Sequence, residues 1–270
     1  MKKAGLFILL FFVHNLFAAF EDKKPGARPA GMGGAFTASA DDANALYYNP
    51  GGLGFIRDLS AVFSHTDLFS LRDLRYDSAG SIIPITSKIT AGIGYSQFGP
   101  DMYRETQLTA GCGVKILDNV SWGVSVQRLD LRIKDYGSAY DWAGSIGFLG
   151  KMSNVVSIGM NARNIFSTHL GNTDELPEKA MSFGLKIRPK PHYQTVIDIA
   201  RELDGDQITY RIGQEVFVQG ILIVRCGFHN YPDRVSGGFG IRWKGFGIDY
   251  ALIMHPKLDL QHQFSFLIGF

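Results

Sequence analysis

Three absences narrow the class of this protein. In 270 residues it has only two cysteines, a net charge of only +2, and no apolar run of transmembrane-helix length after residue 17. A helix that spans a bilayer needs about 20 mostly apolar residues, and a nucleic-acid-binding protein needs a concentrated basic face. The mature chain is therefore expected to be either a soluble exported protein or a transmembrane β-barrel, with no nucleic-acid partner.

Patterns of catalytic or metal-binding chemistry are also missing. The sequence has no Gly-x-Ser-x-Gly nucleophile motif, and its seven histidines are scattered without metal-ligand spacing. The glycine pairs Gly92/Gly94 and Gly111/Gly113 fall inside predicted strands, whereas a phosphate-binding loop is followed by a helix. We therefore predict that the protein is not an enzyme and has no cofactor and no metal.

The first segment has the features of a secretory signal peptide. The basic residues Lys2 and Lys3 precede an apolar run from Leu6 to Phe17, and the small residues Ala18-Ala19 follow. The run is too short to cross a bilayer comfortably as a helix. Residues 1–19 are therefore predicted to be removed after export, with an uncleaved anchor as the alternative.

From Leu59 onward, apolar and polar residues alternate with the period of two that is typical of β-strands. A soluble β-sandwich would alternate too, but here the strands run about nine to eleven residues, tight turns alternate with longer connections, and aromatic residues gather near strand ends. These features favour an all-β fold: a transmembrane antiparallel β-barrel of the bacterial outer membrane over residues 59–270. The aromatic residues are Trp122, Trp142, Tyr193, Trp243, Phe246 and Phe270.

About fourteen strands are predicted, and counts of twelve or sixteen remain open. The fifth strand changes phase near Arg128, which predicts a β-bulge. The predicted strands are 59–66, 74–83, 89–98, 105–116, 120–133, 140–149, 155–164, 179–188, 192–200, 208–218, 221–229, 234–243, 246–254 and 258–270.

The two cysteines are in phase with apolar neighbours. Cys112 and Cys226 therefore face lipid, on the fourth and eleventh strands, where they cannot meet within one barrel. A disulfide is the ordinary expectation for two cysteines in an exported chain. We predict instead two free thiols that act as small apolar residues.

Residues 20–58 lack the strand pattern. A short helix is predicted from Ser39 to Leu46, with Ser39 as its cap and Asp41 and Asp42 in its first turn. The run Asn49-Pro50-Gly51-Gly52 then breaks it.

This segment resembles the N-terminus of PorV/PorQ-type proteins, which belong to the FadL-like superfamily of outer-membrane transporters. The resemblance rests on Gly-Ala-Arg-Pro-x-Gly-Met-Gly-Gly-Ala-Phe, Ala-Asp-Asp-Ala and Asn-Pro-x-Gly-Leu, within residues 26–53. It implies that residues 20–58 enter the barrel lumen as a plug. Gly51 departs from the usual alanine, and the outer loops are shorter than in fatty-acid transporters. The implied plug residues are Arg28, Gly31, Gly33, Gly34, Asp41, Asp42, Asn49 and Pro50.

The inward-facing positions of the predicted barrel carry many charges. Asp41 and Asp42 are expected to pair with arginines of this set, namely Arg211, Arg225 or Arg242, in a network that fills the interior. A polar permeation path or substrate site is the alternative. The set is Lys115, Arg163, Lys186, Arg188, Asp198, Arg211, Glu215, Arg225, Arg242 and Asp249.

The C-terminus resembles the signal that the bacterial barrel-assembly machinery reads. Its alternating apolar residues are Phe264, Phe266, Ile268 and Phe270. The predicted partners are this machinery and outer-membrane lipid. The predicted function is passive transport of a small hydrophobic, fatty-acid-like compound through a plugged lumen. The alternative is a PorV/PorQ-like component of a type IX-like secretion system, which would bind secretion-system proteins.

Overall fold

The structure is a computed structural model that describes residue 20 and residues 23–71, 73–167 and 177–269. Fourteen antiparallel strands form one closed barrel, in which consecutive strands pair and β1 pairs with β14. Closure gives every strand two hydrogen-bonded neighbours and leaves no sheet edge. The predicted all-β fourteen-stranded barrel is confirmed. The strands are β1 Ser60–Asp67, β2 Arg75–Pro84, β3 Ile89–Phe98, β4 Tyr103–Leu117, β5 Val120–Ile133, β6 Gly137–Lys151, β7 Val156–Ser167, β8 Ala180–Lys190, β9 Tyr193–Glu202, β10 Ile208–Val218, β11 Leu222–Asn230, β12 Asp233–Trp243, β13 Phe246–Met254 and β14 Gln261–Ile268.

The barrel wall has an apolar outer face and a polar inner face. On β5, Trp122, Val124 and Val126 are exposed on the outside, whereas Ser121 and Ser125 are buried on the inside. This alternation suits a wall that is surrounded by lipid. Cys112 and Cys226 lie on β4 and β11 as predicted, and both are free thiols.

The strand β5 is regular at Arg128, so the predicted bulge is wrong. Its register with β6 continues without a break from Val120 opposite Gly150 to Ile133 opposite Gly137. The Arg128 side chain lies on the outside, where its guanidinium donates to Asp130 at 2.8 Å and stacks over Tyr140. The sequence pattern changes because β5 continues beyond the apolar belt, where outward residues are no longer required to be apolar.

The N-terminal segment contains two short α-helices, α1 Ala27–Gly31 and α2 Ala45–Tyr48, followed by a 3-10 helix, Pro50–Phe55. A second short 3-10 helix, Leu68–Ser70, follows β1. None of the helices in the described ranges is long and apolar enough to cross a bilayer. The signal-peptide prediction falls on residues 1–19, outside the described residues.

The predicted helix from Ser39 to Leu46 is wrong. The hydroxyl of Ser39 is buried without a hydrogen-bond partner, so Ser39 does not cap a helix. The carboxylate of Asp42 instead accepts hydrogen bonds from the backbone N–H and the side-chain amide of Asn44, at 2.8 and 2.9 Å. Such local side-chain contacts compete with helix formation, and the helical turn begins only at Ala45.

Candidate functional site

Residues 23–58 lie inside the barrel and contact the inner side of the wall. Met32, Phe36, Leu46 and Leu53 are fully buried and pack against apolar wall residues of β1, β2 and β14. A barrel of this size has a lumen wider than its own side chains can fill, because barrel diameter grows with strand number. The N-terminal segment occupies that space with a small apolar core.

Inward-facing glycines mark the places where the segment touches the wall. A Cβ atom at Gly227 of β11 would lie 2.1 Å from the backbone nitrogen of Gly33. A Cβ at Gly123 of β5 would lie 2.1 Å from the carbonyl oxygen of Pro50. Glycine is required at these positions because the two backbones meet directly.

Polar wall residues satisfy the backbone of the segment. Ser265 accepts a hydrogen bond from the N–H of Ala27 at 2.8 Å. The carboxylate of Asp198 accepts from the N–H groups of Phe36 and Thr37, at 2.8 and 2.9 Å. Since buried backbone groups need partners, these contacts hold the segment in one position along the lumen.

The structure places Asn49 and Pro50 of the predicted plug motif against β5 and β6. The Asn49 amide donates to the carbonyl of Thr37 at 2.7 Å and to that of Phe148 on β6 at 2.9 Å. Its oxygen accepts from the N–H of Gly51 at 3.0 Å and so caps the 3-10 helix. Asn49 thus joins two parts of the segment to the wall.

Arg28 is the centre of an ion-pair network. Its Nε and Nη2 donate to the two oxygens of Glu215 on β10 at 3.0 and 3.1 Å. Its Nη1 donates to Asp41 at 2.6 Å and to Asp42 at 2.8 Å. One guanidinium therefore joins two points of the segment to the wall through charge-assisted bonds, which are stronger than neutral ones.

The network continues along the inner wall. Arg225 of β11 donates to Glu215 at 2.6 Å and to Asp249 of β13 at 2.7 Å. Arg242 of β12 donates to Asp249 at 2.8 and 2.9 Å. The side chains of Glu215, Arg225 and Asp249 are fully buried, so each charge depends on its partners.

The expected partners of Asp41 and Asp42 are wrong. The sequence predicted Arg211, Arg225 or Arg242, but both aspartates pair with Arg28 of their own segment, and Asp41 also lies 3.5 Å from Lys186 of β8. Arg225 and Arg242 are instead neutralised by wall carboxylates. The Arg211 side chain packs against Gly34.

The remaining predicted lumen charges lie apart from the network. We call the end of the barrel that carries Ser60 and Ile268 the lower end. Arg163 of β7 pairs with Glu178 at 2.8 Å near the upper end. Arg188 lies at the lower rim, where it donates to the carbonyl of Pro191 at 2.6 Å.

The predicted assembly signal lies on β14. Phe264, Phe266 and Ile268 all point outward and are 40–47% exposed. Phe270 lies outside the described residues.

The electrostatics of Asp41 give a testable pH dependence. Burial raises the pKa of its carboxyl, but Arg28 and Lys186 outweigh burial and lower the pKa from the usual 3.8 to about 2. A depressed pKa in the folded state contributes stability above pH 3.8, and this contribution is lost as the pH falls towards 2. Its size is reduced by solvent, because the Asp41 side chain is 39% exposed.

We therefore expect the Asp41 carboxyl to titrate near pH 2, as measured by carboxyl 13C NMR with Asp41→Asn for assignment. The difference in stability between the wild type and Asp41→Asn should be constant from pH 7 to about 4 and disappear at lower pH. A midpoint at or above the usual 3.8 would show that Asp41 is not held in the ion pair.

A polar cavity lies above the segment. It is lined by Lys23 and Lys24 and by wall residues that include Gln107, Gln127 and Asn161. Its free volume is about 50 Å³, which is room for about four water molecules. As lined by the described residues, this cavity is smaller than the roughly 150 Å³ that a ring the size of benzene occupies in a protein.

No protein-family model matches the sequence, and no curated protein sequence matches it. Solved structures do match its fold. A monoaromatic hydrocarbon channel, CymD, has a TM-score of 0.70 at 13% identity over 93% of this chain and 98% of that chain. The toluene transporter TodX of Pseudomonas putida has a TM-score of 0.65 at 14% identity over 93% and 98%. A FadL homologue of Pseudomonas aeruginosa has a TM-score of 0.62 at 13% identity over 93% and 99%. At such identities the similarity establishes the fold alone: this chain shares the barrel architecture of these three proteins.

Proposed function

We propose that the protein is an outer-membrane channel for passive transport of small hydrophobic compounds, with residues 20–58 as its plug. The apolar outer face of the closed barrel supports a membrane location. The shared fold with a hydrocarbon channel and a toluene transporter supports the substrate class. The first strand begins and the last strand ends at the lower end, where the strands are joined by short turns, and this end is therefore assigned to the periplasm.

The observation that carries this proposal is the fit of the N-terminal segment to the wall. Glycines of the wall receive its backbone, and Arg28 ties it to Glu215. A solute can cross only if the segment moves or the wall opens, because the free space above it admits only water. Under this proposal the protein is a gated channel, and the N-terminal segment is the part that must move.

The polar lining of the cavity favours a second candidate function. Gln107, Gln127 and Asn161 offer hydrogen bonds, whereas an apolar ligand site is mostly lined by hydrophobic side chains. A channel for small polar solutes would suit this lining. If the protein transports hydrophobic compounds, an apolar compound crosses the barrel without binding in this cavity. The structural neighbours give no support to the secretion-system alternative, since they are described as channels and transporters.

Uptake measurements in cells distinguish the two candidates. We expect cells with this protein in their outer membrane to take up radiolabelled toluene several-fold faster than control cells. The control cells produce an unrelated outer-membrane barrel at the same level. Radiolabelled glucose uptake should not change. Faster entry of glucose with unchanged entry of toluene would favour the polar-solute channel and contradict the hydrophobic one.

A further inference from the structure

Two lysines flank a serine at the lower mouth of the lumen. Lys151 of β6 lies directly opposite Ser157 of β7, and Ser157 lies directly opposite Lys186 of β8. Neighbouring strands are about 4.8 Å apart, so the two lysine backbones are separated by about 9.5 Å. All three residues occupy inward-facing positions of their strands. Ser157 therefore lies between the two lysines on the inner face of the sheet.

Two further cations complete this group. Lys151 interacts electrostatically with Lys186, Lys115 and Arg57, and also with the carboxylate of Asp41. Arg57 follows the 3-10 helix of the plug, and its guanidinium donates to the carbonyl of Ile56 at 2.8 Å. We call Arg57, Lys115, Lys151 and Lys186 the basic crescent.

Two carboxylates near the basic crescent neutralise only part of its four positive charges. Asp41 lies 3.5 Å from Lys186, but its shorter contact, at 2.6 Å, is to Arg28. Asp118 pairs with Lys115 at 3.0 Å from a fully exposed position in a turn, where an ion pair contributes little. Lys151 has no ion-pair partner among the described residues. Like charges held close together repel one another, so the crescent has an unmet preference for an anion.

An aromatic ring lies beside these cations. The ammonium group of Lys151 is 4.1 Å from the centre of the Phe55 ring, and Phe55 is partly exposed. The mouth therefore combines a positive rim with an apolar surface. A molecule that carries both an anionic group and an apolar part could contact the two together.

We propose that the basic crescent is an anion-binding site at the periplasmic mouth of the barrel. It takes a phosphate or carboxylate group, with Lys151 and Lys186 on either side and the hydroxyl of Ser157 between them. An apolar part of the same ligand rests on Phe55. This site is separate from the polar cavity above the plug, and its occupation does not depend on the transport proposed above.

Binding of phenyl phosphate and of inorganic phosphate to the full-length protein in neutral detergent tests the site, with 31P NMR as the readout. We expect saturable binding that weakens with added salt. Lys151→Gln/Lys186→Gln should weaken it by about tenfold or more, since the two cations on either side of the anion are lost. The control is Lys244→Gln, which removes one lysine charge from a lower turn between β12 and β13 and should leave the affinity unchanged.

A third variant tests the apolar part. Phe55→Leu should weaken phenyl phosphate and leave inorganic phosphate unchanged, and equal loss for both probes would overturn the role of Phe55. If inorganic phosphate binds as well as phenyl phosphate does, the result supports an anion site in which the phosphate group alone is enough for binding. Absence of saturable binding of either probe, or a Lys244→Gln loss as large as that of the double variant, would overturn the site. Resistance of each barrel to unfolding in cold dodecyl sulfate confirms that the variants are folded.

Discussion

Replacing Arg28 with methionine should release the plug from the barrel. The change leaves Glu215 without its plug partner and Asp41 and Asp42 without the cation they share. Loss of one partner from a buried ion pair costs about 3–5 kcal/mol, and the plug contributes no strand that would hold it in place. We expect trypsin to cleave after Lys23 and Arg57 far faster than in the wild type, as followed by mass spectrometry.

The matched control for this prediction is Glu105→Gln, which removes the ion pair of Glu105 with Lys23 at 3.4 Å and leaves every trypsin site in place. A further variant, Arg28→Met/Glu215→Met, removes both buried charges and should recover part of the lost protection. Equal trypsin resistance of Arg28→Met and the wild type would show that the ion-pair network does not hold the plug.

The second large effect is expected at Gly227. A Cβ there would lie 2.1 Å from the nitrogen of Gly33 and 2.2 Å from the carbonyl carbon of Met32. Neither contact can be relieved by rotating a side chain, because both atoms belong to the backbone. Gly227→Val should therefore displace the plug, whereas β11 itself tolerates valine, a residue typical of strands.

The neighbouring strand offers a control with the same substitution. Gly237 on β12 points outward, and a Cβ there would meet no atom closer than 3.9 Å. Gly237→Val should keep the trypsin resistance of the wild type, while Gly227→Val should lose it with the barrel still folded. Resistance of both variants would mean that the plug does not lie against β11.

The strands could be predicted from the sequence because each carries its own signal. Outward residues face lipid and inward residues do not, so the period of two persists along segments such as Met181 to Arg188. The signal fails at Arg128, because beyond the apolar belt both faces of a strand can be polar. The sequence alone does not show where the belt ends.

The interior could not be predicted as well, because its contacts join distant residues. Arg28 and Glu215 are 187 positions apart, and a wall arginine was the equally reasonable partner for Asp41. The N-terminal helix was misplaced because packing inside the lumen decides the backbone there: a Cβ at Gly52 would lie only 2.0 Å from the carbonyl of Ala40. The glycines were the one available signal. They recur at inward positions of the strands, such as Gly227 and Gly123, and a glycine inside a strand often marks the close approach of another backbone.

The most direct test of the account is the single-channel conductance of the barrel in a planar bilayer, with and without residues 20–50. The deletion removes the buried residues Arg28, Met32 and Phe36 and the Asn49-Pro50 pair, and it leaves all fourteen strands. If residues 20–50 are a plug, the intact barrel should conduct almost no current and the truncated barrel should conduct steadily. A truncated barrel that folds and conducts no more than the intact protein would contradict the account.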